Sequence, residues 1–559
     1  MSPVPTDRPL RTFWLCVALV GAVSISVTAL PWDLSHLSTA EGWQAAWSRL
    51  GAFAAGFAPP DLSAATLRRA VDLALETVAV AVLGVALGAL LSYPLAVLAS
   101  DATLDDGSAR RGVRRSSRVA VREGARLALD ALRGVPDFVW ALVLLTVFGP
   151  NAVTAVLAIA VHVAGILGKV FSELWDGVPR HHAELLRSCG AGRLQVLLYA
   201  NQPLAGRGML SFLLMRFECA VRNASVIGVV CGCGLGGAIP EEIGFDNKAR
   251  AVTFLLALLA LTVSADLASN AVRRLLRRER SGTLEQARRR RWAVAAAVLG
   301  ALGLGLFLLR APIAGMGENL ARADLRYPLG RLRQLLLPDL SGDTLLEAAT
   351  GASMPLALGL LATVIAGLAA AALAWSGSAT FQLHAGRFAP ERLSACARTA
   401  RSVTVAATRM FATVMRGVPE VAWVWILSLF FLPGVEAALG ALALHSAGVL
   451  ARVFTETVDN VPYARLEHVG APSRGAAFLY GALPLSRSDW RSYALFQFES
   501  NVRTGVVLGI VGVGGIGYLF DASLKNGAMA RASTFLLTIL LVTVTIDRLS
   551  RRLQRGPRC

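Results

Sequence analysis

The chain has 559 residues, of which 55% are hydrophobic and 16% charged, with a formal net charge of +18. Soluble domains carry roughly 25% charged residues, so an ordinary globular protein is excluded, and the mean hydropathy of +0.56 points to a membrane. The surplus arginine gathers between apolar runs, where positive charge holds a loop on the cytoplasmic side of a bilayer, so nucleic acid is not an expected partner.

The first apolar run, Thr12 to Leu30, carries no charge and lies behind Arg8 and Arg11. No clear small-x-small cleavage site precedes Pro31-Trp32, so a retained helix is expected rather than a removed signal. Charge-free runs follow at Thr77 to Ser100, Trp292 to Leu309 and Met354 to Ser376. A membrane helix takes about 20 apolar residues. Spans are expected to centre near residues 21, 88, 140, 160, 220 and 260, then near 300, 365, 422, 446, 505 and 541. Gly149-Pro150-Asn151 and Pro433-Gly434 break apolar stretches into paired helices. The fold class is all-α: a polytopic helical membrane protein.

Internal repetition is the strongest signal. Arg133-Gly-Val-Pro136 recurs as Arg416-Gly-Val-Pro419, His162-x-Ala-Gly165 as His445-x-Ala-Gly448, and Val-Phe-Ser-Glu173 as Val-Phe-Thr-Glu456, all at one offset. Phe217-Glu218-x-x-Val-Arg222 returns as Phe498-Glu499-x-x-Val-Arg503, Gly234-Leu-Gly236 as Gly515-Ile-Gly517, and Pro60-Asp-Leu62 as Pro338-Asp-Leu340. Two tandem copies of about six helices are expected, at 1–278 and 292–559, joined by a basic linker at 279–291. Arg110, Arg111, Arg114, Arg115, Arg118, Arg122 and Arg126 crowd the segment after the second span, which reads as a loop. The linker and the tail from Arg551 are equally basic. With six spans per copy all three regions share a side, so both termini are expected in the cytoplasm. Equal topology relates the copies by an axis along the membrane normal.

Asp176 to Gly208 forms a polar stretch after the fourth span, containing Glu184-Leu-Leu-x-x-x-Gly190 and, thirteen residues on, Pro203. Glu184 to Ser188 reads as a short helix ended by Gly190-Ala-Gly192, followed by an amphipathic turn through Leu194, Leu197 and Leu198. Such a helix–turn–helix suits a partner's groove. This spacing resembles the EAA-type coupling loop of binding-protein-dependent ABC permeases. Leu132 to Trp140, His162 to Glu173, Arg216 to Arg222 and the glycine-rich Gly232 to Gly237 are similar to phosphonate-transport permeases. The resemblance covers nearly all of each copy and implies a type I importer (MetI-like) fold in each. It also implies a bacterial inner-membrane site and a loop that docks on a separate ABC ATPase, two copies of which use the ATP. An extracytoplasmic substrate-binding protein is implied too, and selection of the substrate usually rests with it. In the second copy the loop, about 459–487, departs from the pattern. Ala464 stands six residues before Gly470, Glu467 is out of register, and Pro484 lies one residue farther on. Unequal ATPase contacts are expected.

Ionisable residues within spans are costly and usually face a bundle interior or water. Glu218 with Arg222, and Glu499 with Arg503, are four apart, so each can pair along its helix. They either fix packing or line a path for an anionic substrate. Arg133 and Arg416 precede prolines and are expected to snorkel to the interface. His162 and His445 read as packing residues that could hydrogen-bond between helices. Lys169 and Glu173, with Arg452 and Glu456, read as helix-end charges near the ATPase. The seven cysteines suggest neither disulfides nor a metal site, Cys231-Gly-Cys233 lacking the usual knuckle spacing. No Gly-x-x-x-x-Gly-Lys-Ser/Thr loop occurs, Gly168-Lys169 being followed by Val170. No cofactor of its own and no enzymatic site are expected. A gradient-driven carrier would show inverted repeats with unwound half-helices, which the parallel repeat disfavours.

Overall fold

The computed structural model describes residues 8–56, 59–104, 113–277, 284–322, 326–383, 394–462 and 473–554. All regular structure among them is helical. Two helices come first, α1 (Arg8–Ala29) and α2 (Ala40–Gly56). The long α3 (Ala64–Ala99) follows, then the single-turn α4 (Asp101–Leu104), α5 (Val113–Gly134), α6 (Asp137–Phe148) and α7 (Ala152–Asp176). Short α8 (Arg180–Ser188) and α9 (Arg193–Val196) lead into α10 (Gln202–Cys231), α11 (Gly234–Gly244) and α12 (Lys248–Arg277). The second half opens on α13 (Leu284–Leu308), α14 (Arg310–Arg322) and α15 (Arg326–Gln334). It runs on through α16 (Gly342–Gly377), α17 (Ala379–Leu383), α18 (Ala395–Gly417), α19 (Glu420–Phe431) and α20 (Val435–Asp459). After α21 (Arg474–Ala476) come α22 (Leu483–Leu508), α23 (Gly515–Lys525) and α24 (Met529–Gln554).

Every expected span centre falls inside a helix. Among the described residues six helices are singly long and apolar enough to cross a bilayer, with up to ten spans if each sharply bent pair counts as one. The chain is therefore an all-helical, multi-pass membrane protein. The arginine-rich segment expected as a loop is helical from Val113; Arg110 and Arg111 lie outside the described residues. Arg118, Arg122 and Arg126 share one stripe of α5, because residues four apart stack on a helix face. Val119, Val121 and Leu127 of the same helix are exposed. The stripe is satisfied by carboxylates: Arg122 reaches Asp101 and Glu123, and Arg126 reaches Asp101 at 3.2 Å. Burial works against ionisation of Asp101, but the hydrogen bonds from Arg126 and Arg122 outweigh it and hold its carboxyl below the usual range.

Two compact units result, and they do not follow the expected copies at 1–278 and 292–559. One comprises Met1–Phe53 with Pro338–Cys559, the other Ala54–Leu337. The difference lies in which long helix the first helix of each half packs along. In the Ala54–Leu337 unit α13 packs along α3, and Leu309 joins a core built on Ala79, Ala81, Ala155, Ala158 and Ile159. Small residues let helices approach closely where lipid supplies no hydrophobic drive. In the other unit α1 packs along α16, beside the contact of α16 with α20. There Trp43 and Trp47 of α2 stand edge-on to Phe430 at 5.6 and 5.2 Å, and Arg49 Nε donates to the Leu429 carbonyl at 2.9 Å.

The Pro-Asp-Leu repeat ties helix ends. Asp61 accepts from Thr66 Oγ1 at 2.6 Å and from Ser63 N–H at 3.0 Å, while its own N–H donates to the Ala249 carbonyl. Asp339 does the same with Thr344 at 2.8 Å, Ser341 at 2.9 Å and the Ala530 carbonyl. Thr253 and Thr534 close each tie by donating to the aspartate carbonyls at 3.0 and 2.7 Å. The Thr66 hydrogen bond lowers the Asp61 carboxyl, and the Ser341 N–H lowers that of Asp339, from a reference of 3.8. A folded-state value below the unfolded one contributes stability that is present above the unfolded value and lost as pH falls through the folded value. Asp61→Ala and Asp339→Ala should therefore lower the thermal unfolding temperature at neutral pH. That difference from wild type should shrink in strong acid, as followed by fluorescence in detergent.

Candidate coupling elbow and intramembrane polar sites

The elbow begins where α7 ends. Trp175 is fully buried, stands edge-on to Tyr93 at 5.4 Å, and donates through Nε1 to Gln202 Oε1 at 3.2 Å. The exit of α7 is thereby fixed against the entry of α10. Between them α8 ends in a Schellman turn: the Gly190 N–H bonds the Arg187 carbonyl at 2.9 Å and the Ala191 N–H the Leu186 carbonyl at 3.1 Å. Gly190 sits at φ +84°, where a side chain costs about 1–2 kcal/mol; hence glycine at that spacing. Gln195 Oε1 accepts the Gly192 N–H at 2.7 Å to start α9. The chain widens into a π-helical turn, Leu197–Asn201, before Pro203 enters the first turn of α10. Glu184, Leu185, Leu194 and Leu198 are exposed, and Tyr199 is 73% so. The elbow exposes these apolar side chains among charged ones such as Arg193.

In the second half Glu467 and Gly470 lie outside the described residues. Beyond them Ser473 Oγ caps α21 by accepting the Ala476 N–H at 3.2 Å. A π-helical turn, Ala477–Ala482, again leads to a proline, Pro484, in the first turn of the next helix. Leu479 is exposed, and Tyr480 is 74% so, at the positions matching Leu198 and Tyr199.

The Arg-Gly-Val-Pro repeat forms a sharp corner. The axes of α5 and α6 are bent by 89°, and those of α18 and α19 by 96°. Proline begins the second helix of each pair, so carbonyls just before it lose their helical donors. His162 Nδ1 lies 2.9 Å from the Val135 carbonyl, and His445 Nδ1 3.2 Å from that of Val418. A carbonyl only accepts, so each of these nitrogens carries its proton. Trp140 and Trp423 donate to the Leu132 and Met415 carbonyls, both at 3.1 Å. The neighbouring glycines make the fit possible: a Cβ on Gly165 would lie 2.5 Å from the Arg133 nitrogen, and one on Gly448 2.7 Å from that of Arg416. The glycine-rich stretches follow the same rule, since a Cβ on Gly236 or Gly517 would collide with the carbonyl of Ser225 or Val506.

The expected intramembrane charges divide. Glu499 and Arg503 do pair, at 3.2 Å. Arg222 and Glu218 are half-buried on α10, and Arg222 Nε is buried with no hydrogen-bond partner. Arg133 donates to Asp130 at 2.9 Å, and Lys169 meets the same carboxylate at 3.1 Å. A shared carboxylate lowers the cost of two half-buried cations. Glu173 is exposed, Arg452 and Glu456 pair at 2.9 Å, and Arg416 sits half-buried at its own corner.

Two arrangements escaped the sequence reading. One is a buried network in which Ser446 donates to Asn501 at 2.7 Å, Gln497 to Ser446 at 3.1 Å, and Asn501 to Thr363 at 2.9 Å. Val85, Val163, Arg216 and Ala220 hold the matching places in the first half. The other is an aspartate at the root of each elbow. Asp176 accepts from Ser100 Oγ at 2.7 Å and Ala102 N–H at 2.9 Å, and lies 3.6 Å from Arg126. Asp459 accepts from Ser378 Oγ at 2.5 Å, Thr380 N–H at 3.2 Å and Arg409 at 2.8 Å. The constant offset of 176 to 459, and of 126 to 409, was the available signal.

A multi-pass helical bundle with a protruding apolar elbow between two of its membrane helices is the build of a transport permease that is driven from outside the bilayer. The chain belongs to the family of binding-protein-dependent transport system inner membrane components, whose model matches residues 109–279. PhnE2 of Escherichia coli, named as a cryptic phosphonate transport system permease, is 36% identical over 118 residues, 21% of this chain and 96% of that protein. The phosphate-import permease protein PhnE of Mycolicibacterium smegmatis is 28% identical over 487 residues, 86% of this chain and 84% of its own. The phosphite transport system permease protein PtxC of Stutzerimonas stutzeri is 27% identical over 216 residues, 39% of this chain and 74% of its own. No solved structure matches the chain. As the permease component of an ABC transporter it is not itself the ATPase.

The corners make a direct test. His162→Ala strands the buried Val135 carbonyl and should cost about 1–3 kcal/mol. Gly165→Ala forces the corner off α7 at a similar cost of about 1–3 kcal/mol. Both are read as lowered thermal unfolding temperatures in detergent micelles, and wild-type stability in both would contradict the corner's role.

Proposed function

We propose that the chain is the membrane path of an ATP-driven bacterial importer for small phosphorus oxyanions: phosphonate, phosphite or phosphate. The elbow carries the reading. Its exposed Leu185, Leu194, Leu198 and Tyr199, held rigidly between α7 and α10, form an apolar knob of the kind that seats in a partner's groove. Glu184, Gly190 and Pro203 shape it. Leu479 and Tyr480, with Pro484, shape the second; Glu467 and Gly470, in the sequence just before it, lie outside the described residues. Two copies of a separate ATPase take one elbow each, and an extracytoplasmic binding protein delivers the substrate. The substrate class follows the names of the relatives, which span phosphate, phosphite and phosphonate.

The two halves descend from a tandem duplication. Supporting this, the corner, the outer aspartate ties, the π-turn before each elbow proline and the root aspartates repeat with the same partners. Both termini lie in the cytoplasm, a reading supported by the basic linker and tail. Arg133 and Arg222 in the one unit, and Arg416 and Arg503 in the other, each give their own bundle a positive lining for an anion, a reading supported by the buried Arg222 Nε without a hydrogen-bond partner. Glu218 and Glu499 keep that lining from trapping the anion.

The test is uptake into proteoliposomes holding this chain with its ATPase and binding protein. Labelled phosphate, phosphite and methylphosphonate are offered with and without ATP. Uptake of at least one of them should require ATP, and Leu198→Asp should cut it about tenfold, as loss of a docking anchor does. Glu184→Gln should lower uptake more than Glu467→Gln, whereas equal losses would argue for equivalent elbows. Accumulation driven by an ion gradient without ATP would overturn the assignment.

A further inference from the structure

The carboxylate at the root of each elbow joins three separate segments. Asp176 is the last residue of α7; its partners are Ser100, which caps the end of α3, Ala102 of α4, and Arg126 of α5. Arg126 Nε also donates to the Ala99 carbonyl at 2.9 Å. Asp459 closes α20 in the same way, with Ser378 between α16 and α17, Thr380 of α17, and Arg409 of α18, whose Nε donates to the Gly377 carbonyl at 3.0 Å. Both carboxylates are only about a quarter exposed, 26% and 21%. Charge-assisted hydrogen bonds of this kind are roughly twice as strong as neutral ones.

The short helix held by each aspartate also touches the elbow. In the first half α4 packs on α9. In the second, Gln382 of α17 accepts from Arg474 Nη1 at 3.1 Å, and Phe381 stands edge-on to Phe478 at 5.5 Å. A displaced elbow would therefore pull first on α4 or α17. The aspartate is the point from which that pull reaches the long helix, the helix entering the elbow and the arginine-bearing helix together.

We infer that Asp176 and Asp459 are positioning residues for energy coupling, turning movement of the elbow into movement of α3 with α5 and of α16 with α18. Asp459 carries this role in the second half, where the elbow glutamate has slipped out of register. The inference rests on the importer reading above. It adds that force enters the bundle through the root aspartates rather than through the elbow glutamates alone.

A residue that merely stabilises the fold would lower transport and hydrolysis together; a coupling residue changes their ratio. The full complex, with ATPase and binding protein, is reconstituted with labelled inorganic phosphate, phosphite or methylphosphonate, and both rates are measured. Asp176→Asn and Asp459→Asn should raise the ATP hydrolysed per anion imported by about tenfold, within the usual range of coupling between sites. Hydrolysis stimulated by the binding protein should stay close to wild type, and Asp459→Glu should recover part of the ratio. If Asp459→Asn does not assemble, Arg409→Gln breaks the same tie from α18 and is read identically. An unchanged ratio, or parallel losses of uptake and hydrolysis, would overturn the inference while leaving the importer reading intact. A wild-type complex with no ATP-driven uptake would overturn both.

Discussion

A backbone carbonyl released by a helix break inside an apolar bundle must find a donor, since no water is there to supply one. The corners at Val135 and Val418 obey that constraint with imported donors, and much of each half follows from it. The imidazoles of His162 and His445 come from α7 and α20, so those helices must lie against the corner. They can do so only where Gly165 and Gly448 leave space. The corner in turn sets the direction of α6 and α19 and brings Arg133 and Lys169 onto the one carboxylate of Asp130. The histidine-to-glycine spacing is thus one device in two parts: a donor, and the clearance that lets it reach.

The halves share this skeleton and differ inside it. Thr363, Ser446, Gln497 and Asn501 bind α16, α20 and α22 through a closed set of side-chain hydrogen bonds, with Asn501 only 1% exposed. Such networks specify one arrangement when every member is satisfied. The first half has aliphatic residues at three of those places, and its Arg222 keeps an unpartnered Nε where Arg503 meets Glu499. One half is pinned at these places by polar contacts, the other by packing.

Much of this was legible in the amino-acid order, for reasons that can be named. Apolar runs report helices directly, and the span centres landed on them. The repeat singled out Arg133, His162, Gly165 and Asp61 by position, though not by role. Periodicity shows that His162 lies in a helix, but not that a proline twenty-six residues earlier has freed a carbonyl for it. The stripe of Arg118, Arg122 and Arg126 was read as loop charge because its neutralising partners, Asp101 and Asp176, are remote in the chain. Lys169 reads from the sequence as a helix-end charge, whereas its partner Asp130 lies on another helix. Side-chain pairing across helices is the information that one-dimensional spacing lacks.

The parting of the compact units from the sequence halves has a consequence for assembly. Each half lends its opening helix to the fold of the other: α1 lies with α16, and α13 with α3. A half on its own would leave the contact of α16 with α1, or of α3 with α13, to be made by another chain. As separate polypeptides they would have to meet in the bilayer before either was complete, at a rate set by their abundance. Joined in one chain, the missing piece is always present at the effective concentration of a tether, and the stoichiometry cannot drift.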